Sequence, residues 1–376
     1  MVSRIVWFSE QGRNYKGPLL GSGLTSLFTV IIGSFFDYFF REQNPLANPT
    51  IWIGLFITAF FLFWWGISTD RVYQWLAKRS IRSRFKNAKV GVLSISENDD
   101  EEVKSLLRST DFTPEMWLNH LRSNSVSVEK TTDLSMNENY SILLNPFGEL
   151  YLEDDTMNLK TFQAIKDYIK KGGVFVNTAG LAFFYMWNQK TKIEGLTGPM
   201  LEAYAGDAIT KPIMNDPHIM DEPHTYTSSI ALQPIVIPDG SSLIDTWLFK
   251  NFGIRTSLGD ERPLRAEGVN SFRDIIEKDL VVHEFRSALR CEHPECQLIP
   301  IIRSEYVYRP TGKKHECYPI AAVKYGLGYL ILVGLVLKED KDLSLVVRTI
   351  KGVIEKLRKR GFLEIASLSN SALSPR

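Results

Sequence analysis

The stretch from residue 140 to residue 180 constrains the fold of this chain more than any other part. It begins with a short apolar run at 142–144, continues with a helical pattern at 156–171 and ends with a second apolar run at 174–176. Gly172 and Gly173 follow the helical pattern, and such glycines are typical of a helix end. Two apolar runs joined by an amphipathic helix predict two parallel strands of a sheet that is covered on both faces. The apolar face of the helix is formed by Leu159, Phe162, Ile165 and Ile169.

Further patterns extend this crossover into a larger sheet. Residues 90–95 and 125–129 predict two more strands, and a helix beginning at Thr113 and Pro114 lies between them. The resulting order is typical of an α/β fold with a doubly wound, flavodoxin-like and mostly parallel sheet. Ligands of such sheets bind at the carboxyl ends of the strands. The candidate ligand-binding residues at these ends are Asn145, Gly148, Glu149, Asn177, Thr178 and Gly180.

The segments 145–149 and 177–180 resemble the centre of the class I glutamine amidotransferase-like superfamily. In that family the first strand ends in a glycine-rich loop that supplies an oxyanion-hole amide, and the second runs into the nucleophile elbow Gly-x-Cys-x-Gly. Gly180 matches the last glycine of the elbow, Thr178 stands in the place of the cysteine, and Val176 replaces the first glycine. The resemblance therefore implies a degenerate, non-catalytic domain that binds a small-molecule ligand or a protein partner.

Two roles remain open for these residues. Thr178 is either a structural residue on a strand-to-helix turn or a nucleophile, and a threonine hydroxyl needs a strong adjacent base in order to attack. An enzyme of this kind would use Glu149 or a histidine of the middle region as its base, with a metal ion as Lewis acid. The chain would then be a hydrolase or a transferase that uses the same pocket.

The N-terminal part contains two apolar runs without charged residues, at 19–36 and 51–67. Each is about long enough to cross roughly 30 Å of hydrocarbon as a helix. We therefore expect a transmembrane hairpin with helices at about 19–40 and 50–68, followed by a basic helix that ends near residue 88. The alternative is a pair of buried core helices in a soluble protein.

Basic residues set the expected orientation of this hairpin. They precede the first run and crowd the segment after the second, whereas the connecting loop contains Arg41 alone. By the positive-inside rule, both termini and the main domain would be cytoplasmic, in an integral protein of the inner or plasma membrane. The lipid bilayer is then a partner.

The hairpin would be either a passive anchor or part of a membrane effector. In the second case, the cytoplasmic domain would sense a signal and form a homo-oligomer, and the hairpins would assemble into a bundle. Gly21, Gly23 and Gly33 allow the close approach of helices that such a bundle needs. A passive anchor requires nothing beyond the two spans.

Two clusters contain residue types that bind metals. One is Asp216, His218, Asp221 and His224, whose oxygen and nitrogen atoms would suit a divalent cation, although a solvated loop with two prolines has the same composition. The other is Cys291, His293, Cys296, His315 and Cys317, which would suit tetrahedral zinc, although its spacing matches no common zinc finger. Reduced thiols packed in turns are the competing interpretation of the second cluster. Zinc is the one cofactor that the sequence suggests.

The remaining features complete the predicted organisation. The main domain runs from 89 to 362 and contains an insertion at about 185–315, and the serine-rich tail at 363–376 is expected to be disordered. Near its end, Gly326 and Gly328 predict the turn of a β-hairpin, which an amphipathic helix follows. The 44 basic and 43 acidic residues nearly balance, which argues against a nucleic-acid partner.

Overall fold

The structure is a computed structural model, and its description covers part of the chain. The described residues are a few positions between 22 and 34, and the ranges 49–67, 70–95, 103–104, 106–133, 139–153, 160–188, 226–227, 242–243, 246–257, 262–269, 272–276, 280–308 and 311–363. These residues belong to two compact units, 1–83 and 84–376.

The first unit contains the helix α1 (Pro49–Ile67) and the beginning of α2 (Asp70–Lys86). Among the described residues, no helix is long and apolar enough to cross a membrane. The predicted transmembrane hairpin, and with it the integral membrane location with cytoplasmic termini, is therefore wrong. The second predicted span, at about 50–68, coincides with α1, which begins at Pro49 and contains Gly54 and Gly66. Most of the first predicted span, at about 19–40, lies outside the described residues.

The second unit is a mixed α/β structure. Its elements in chain order are β1 (Val90–Leu93), α3 (Pro114–Ser123), β2 (Val128–Thr131), β3 (Ile142–Asn145), β4 (Leu150–Glu153), α4 (Lys160–Lys170), β5 (Val174–Asn177), β6 (Tyr185–Asn188), β7 (Tyr226–Thr227), β8 (Ser242–Leu243), α5 (Trp247–Phe252), β9 (Ile254–Ser257), β10 (Arg262–Gly268), β11 (Leu280–Glu284), β12 (Ala288–Cys291), β13 (Cys296–Tyr308), β14 (Lys313–Tyr325), β15 (Gly328–Val333) and α6 (Asp340–Arg360).

One half of the main sheet is parallel. Its strands lie in the order β2-β1-β3-β5-β15, and every neighbouring pair in this order is parallel. The strands β1, β3, β5 and β15 are buried along their whole length, as expected for apolar strands that are covered on both faces. The register places Asn145 next to Asn177 at the carboxyl ends of β3 and β5. The predicted crossover from β3 through α4 to β5 is confirmed.

The other half is antiparallel. Beyond β15 the sheet continues in the order β14-β13-β10-β11, and β13 and β14 are each 13 residues long. The end of β11 returns to the segment after β15, where Glu284 pairs with Leu335 and the Val336 N–H donates to the His283 carbonyl. The predicted α/β class is confirmed, but the sheet is mixed and not mostly parallel.

The helix α4 is held in place at both of its ends. At its start, the Oε1 atom of Glu153 accepts a 2.8 Å hydrogen bond from the Thr161 N–H, and Oε2 accepts one of 3.1 Å from the Phe162 N–H. At its end, Gly172 has a φ of 97° and begins the turn into β5. A buried aromatic cluster centred on Phe183 packs between α4 and α5, with ring centroids 5.2 Å apart between Phe162 and Phe183. The predicted hairpin and final helix correspond to β14, β15 and α6.

Candidate functional site

The structure brings together the residues predicted at the ends of β3 and β5. We call Asn145, Glu149, Asn177 and Thr178 the strand-end cluster. The Nδ2 atom of Asn145 lies 3.1 Å from the Gly148 carbonyl, 2.8 Å from the Leu150 carbonyl and 3.1 Å from Oδ1 of Asn177. The Oδ1 atom of Asn145 accepts a hydrogen bond from the Phe147 N–H, and Nδ2 of Asn177 donates to the Ala179 carbonyl. Both amides are therefore engaged in holding the two loops together.

The contacts of Thr178 are those of a buried structural residue. Its hydroxyl donates a 2.9 Å hydrogen bond to the Asn145 carbonyl, and the residue is fully buried. A carbonyl oxygen cannot remove the hydroxyl proton, whereas a nucleophilic threonine requires a base at that position. The contact instead joins the end of β5 to the end of β3, which favours the structural role for this residue.

Glu149 is the one titratable member of the strand-end cluster. Its Oε1 atom accepts a 2.8 Å hydrogen bond from the Leu181 N–H, and its Oε2 atom accepts one of 3.1 Å from the Ser109 hydroxyl. Burial raises the pKa of this carboxyl, and the hydrogen bonds and the charges of Arg286 and Arg108 oppose the rise. A carboxyl in this environment holds its proton to a higher pH than an exposed glutamate.

The glycines of these loops are required by close packing. Gly180 has a φ of 59°, and a Cβ atom at this position would lie 2.4 Å from Cγ of Glu149. Gly148 has a φ of 68°, and a Cβ atom there would lie 1.8 Å from the Arg108 carbonyl oxygen. Both positions were predicted to bind a ligand. Their local geometry accounts for glycine without one.

Several groups around Glu149 were not predicted from the sequence. Ser109, Arg108, Leu181 and Arg286 come from three separate loops, and no spacing pattern relates them. Ser109 has a φ of 58°, which is uncommon for a residue with a side chain. Such strained positions persist where the surrounding structure strongly determines them. The strain at Ser109 points to a position that the packing around Glu149 determines, and it is visible in the structure alone.

A second buried carboxyl lies in the antiparallel half. The Oε1 atom of Glu284 accepts hydrogen bonds from the Ser257 hydroxyl and from the Ser287 N–H, the latter at 3.0 Å. Burial raises the pKa of this group, and the charge of Arg286 opposes the rise here as it does at Glu149. The charge of Arg286 thus acts on both buried carboxyls.

The cysteines do not form a metal site with their predicted partners. Among the described residues, no group of three or more His, Cys, Asp or Glu side chains could hold a metal ion. Cys317 is fully buried on β14, and burial raises the pKa values of Cys296 and Cys317 to about 12. His293 uses its Nδ1 atom to accept a hydrogen bond from the Glu295 N–H. The other predicted cluster, Asp216, His218, Asp221 and His224, lies outside the described residues.

An open groove lies on the antiparallel half of the sheet. It has a volume of about 730 Å³ and crosses β10, β13 and β14. We call it the charged groove, because its lining includes Arg265, Glu267, Arg303, Glu305, Lys314 and Glu316. Its volume falls within the range of about 300 to 1,000 Å³ that is usual for ligand sites, although its lining is more polar than most.

Most charges of the groove are paired across strands. Nε of Arg303 donates to Oε1 of Glu267 at 3.0 Å, and Lys314 forms an ion pair of 2.7 Å with Glu305. Arg265 is exposed, and within the described part of the chain its guanidinium has no ion pair. His315 also lines the groove, and its Nε2 atom is buried without a hydrogen-bond partner among the described residues. These two groups distinguish the groove from the strand-end cluster, where the polar atoms are satisfied internally.

Comparison with known proteins assigns no family to this chain. No family model matches it, and no curated protein matches it. Similar solved structures include a cold-adapted β-galactosidase from Rahnella sp. R3, with 11% identity, a TM-score of 0.36 and coverage of 72% of this chain and 31% of that enzyme. A β-galactosidase from Bacillus circulans sp. alkalophilus has 11% identity and a TM-score of 0.34, with coverage of 75% and 34%.

A third similar structure is a catalytic mutant of Gan42B, a GH42 β-galactosidase from G. stearothermophilus. It has 13% identity and a TM-score of 0.36, and the match covers 76% of this chain and 32% of the enzyme. The chain thus spans about a third of the length of the enzymes it matches. TM-scores at this level assign neither an activity nor a substrate.

These findings correct the predicted family. No family model and no curated protein matches the chain, so neither comparison supports the predicted resemblance to glutamine amidotransferases. The prediction of a membrane-anchored, degenerate amidotransferase-like domain is therefore wrong. The residues that suggested it have local structural roles, because Thr178 bonds to a carbonyl and Gly180 makes room for Glu149.

Proposed function

We propose that this protein is a binding module, and that its charged groove takes an acidic segment of a partner protein. The observation that carries this proposal is Arg265, an exposed cation in a groove whose other strong charges are paired. Arginine is over-represented among the residues that dominate binding energy at interfaces. An acidic side chain of a partner would complete the ion pairing of the groove.

The register of the sheet supports an apolar contact beside this cation. Arg265 on β10 lies directly opposite Val281 on β11, and Val281 is 46% exposed. Side chains that are directly opposite in an antiparallel pair lie on the same face, with their Cβ atoms about 5 Å apart. A partner segment with an acidic side chain next to an apolar one fits this pair. Such a segment is the kind of partner that we expect.

The paired charges contribute to specificity more than to affinity. The ion pairs of Glu267 with Arg303 and of Glu305 with Lys314 are exposed, and exposed pairs contribute little to stability. The carboxylates of these pairs would repel a second acidic group placed next to them. The groove should therefore select segments by the position of their charges, and binding should weaken at high salt.

The strand-end cluster is a weaker candidate for binding. The amides of Asn145 and Asn177 and the hydroxyl of Thr178 are all used inside the domain. Removing them from these contacts would leave buried polar groups unsatisfied, at a cost of about 1 to 3 kcal/mol each. The charged groove requires no such rearrangement.

A direct binding measurement tests the proposal. The probes are two fluorescein-labelled decapeptides, one of alternating glutamate and valine and one of alternating lysine and valine. We expect the acidic peptide to bind at least about tenfold more tightly, and Arg265→Glu to remove that difference, because a surface charge pair is replaced by repulsion. The matched control is Lys351→Glu, which makes the same change at an exposed position on α6 and should leave binding unchanged. Equal binding of the two peptides, or the same loss in both variants, would contradict the proposal.

We also infer the finer arrangement of the parallel half, a doubly wound and flavodoxin-like one. The crossover through α3 leads from β1 to β2 at one edge, and the crossover through α4 leads from β3 to β5 in the opposite direction. Because such crossovers are right-handed, the two helices are expected on opposite faces of the sheet. Packing of α6 against α3 supports this arrangement. A divalent-cation site at Asp216, His218, Asp221 and His224, which lie outside the described residues, stays a hypothesis that metal analysis of the purified protein can test.

A further inference from the structure

The helix α1 exposes large apolar side chains. Phe56 is 73% exposed and Phe63 is 67% exposed, and the same holds to a lesser degree for Trp52, Ile53 and Phe60. The helix has no charged residue along its length. Thr58, on the opposite side of the helix, is buried. An apolar surface of this kind on one side of a helix marks an interaction site more often than a solvated face.

The exposed side chains follow the spacing of a helix-pairing seam. Trp52, Phe56, Ala59 and Phe63 are separated by four, three and four residues, and all four are exposed. Alternation of three and four is the spacing at which side chains on one helix meet a second helix. The seam also has the same spacing when it is read in the opposite direction.

That symmetry favours a second copy of the same helix as the occupant. If two copies pair in antiparallel orientation about an axis between residues 57 and 58, Phe56 faces Ala59 of the partner subunit. Trp52 then faces Phe63 of the partner subunit, and each contact occurs twice, as it must at a two-fold interface. The pairing of a large residue with a small one lets the central part of the seam close.

The available area is sufficient for a dimer. A buried aromatic side chain removes about 150 to 250 Å² from water. The exposed parts of Trp52, Phe56 and Phe63 in the seam and of Phe60 beside it therefore correspond to roughly 500 Å² per copy. Two copies would bury about 1,000 Å² from these side chains alone, which is near the lower limit for a specific interface. Ile53 and Leu55 flank the seam and add to this area.

From these observations we propose that α1 is a self-association surface, through which two copies of this chain pair as antiparallel helices. The interface is distinct from the charged groove, so either proposal can fail without the other. Lipid could also cover an apolar helix, and the experiment below distinguishes it from a second copy.

The experiment is sedimentation equilibrium of the full chain over a range of concentrations, without lipid. We expect a dimer, and we expect Phe56→Asp to weaken the association by about a hundredfold or more, because it places an unpaired charge in the interface twice. Phe56→Leu is the matched control and should retain the dimer. Circular dichroism and thermal unfolding show whether each variant folds.

A second variant keeps the surface apolar and tests the pairing itself. Ala59→Phe fills the space opposite Phe56 of the partner subunit, so the two-copy interface should weaken while the helix stays as apolar as before. If lipid is the occupant, the same variant should bind vesicles of phosphatidylcholine and phosphatidylglycerol at least as well as the wild type. A wild-type chain that stays monomeric at all concentrations, or a dimer that Phe56→Asp and Ala59→Phe leave intact, would overturn the proposal.

Discussion

The carbonyl oxygen of Arg108 lies 1.8 Å from the point where a Cβ atom at residue 148 would be. Only glycine can occupy this position, because any side chain would displace the backbone of the loop that contains Arg108. The same loop contributes Ser109, which donates its hydroxyl hydrogen to Glu149. The contact between these two backbones therefore positions the buried carboxyl of the strand-end cluster.

Gly148→Ala should strongly destabilise the fold. The substitution combines a left-handed conformation, φ 68°, with a backbone clash, and we expect a loss of about 3 kcal/mol or more in the free energy of unfolding. Gly312→Ala is a matched control, because Gly312 has a φ of 66° with nothing within 4 Å of its Cβ position. It should cost about 1 to 2 kcal/mol, which is the conformational part alone. Urea unfolding measures both, and equal losses would contradict the proposed clash.

The Glu149 carboxyl should give the fold a measurable pH dependence. Burial raises its pKa, whereas the unfolded chain releases this proton near pH 4.3. The folded state therefore binds more protons above that pH, and the contribution of this group to stability decreases as the pH rises towards the folded-state pKa. In Glu149→Gln this part of the pH dependence should be absent.

Unfolding curves at a series of pH values from 4 upward test this expectation, since the amide cannot ionise. The variant Glu295→Gln removes an exposed carboxyl and should keep the wild-type profile. Parallel profiles of the wild type and Glu149→Gln would show that Glu149 titrates at its ordinary value in the folded protein. Glu284, whose pKa is also raised by burial, should preserve a part of the same trend in both proteins.

The cysteines should react slowly in the folded protein. Burial raises the pKa values of Cys296 and Cys317 to about 12, and the thiolate is the form that reacts with alkylating agents. At pH 8 we expect iodoacetamide to modify both residues much more slowly than the same cysteines in urea. Mass spectrometry of the digested protein measures each site separately. Rapid modification of Cys317 under native conditions would show that β14 opens or that the thiol is more acidic than its burial implies.

The parts of the fold that local pattern determines could be predicted from the sequence. The strands β3 and β5 are apolar because they are covered on both faces, and α4 has a regular apolar face. All three elements were therefore predicted close to their observed bounds. The antiparallel half was mostly missed. The strand β13 runs for 13 residues but contains Pro300 and shifts its register near Ile302, and these features break the alternation that marks a strand.

The candidate sites depended on contacts that local pattern does not contain. Glu149 was predicted, but its hydrogen-bond partner Ser109 lies 40 residues away in the sequence. The charged groove is formed by cross-strand pairing, in which Glu267 on β10 lies opposite Arg303 on β13, and this register cannot be read from either strand alone. The apolar run of α1 was recognised and assigned to a membrane span. The amino-acid sequence does not show which of its side chains remain exposed in the folded chain.

Glu153 should be essential for the position of α4. It is fully buried, and its two carboxylate oxygens accept hydrogen bonds from the Thr161 and Phe162 N–H groups at the start of the helix. A negative charge at this end also interacts favourably with the helix dipole. Glu153→Ala removes the acceptors of these two buried hydrogen bonds, so we expect a loss of about 2 to 4 kcal/mol in the free energy of unfolding. Glu153→Gln retains the shape and one acceptor oxygen, and should lose less.

Glu115→Ala removes an exposed carboxyl from the first turn of α3 and provides the control, with an expected loss below about 1 kcal/mol. The order of the three losses is the test, because an equal loss for Glu153→Gln and Glu153→Ala would mean that the charge, and not the number of accepted hydrogen bonds, stabilises this end of α4.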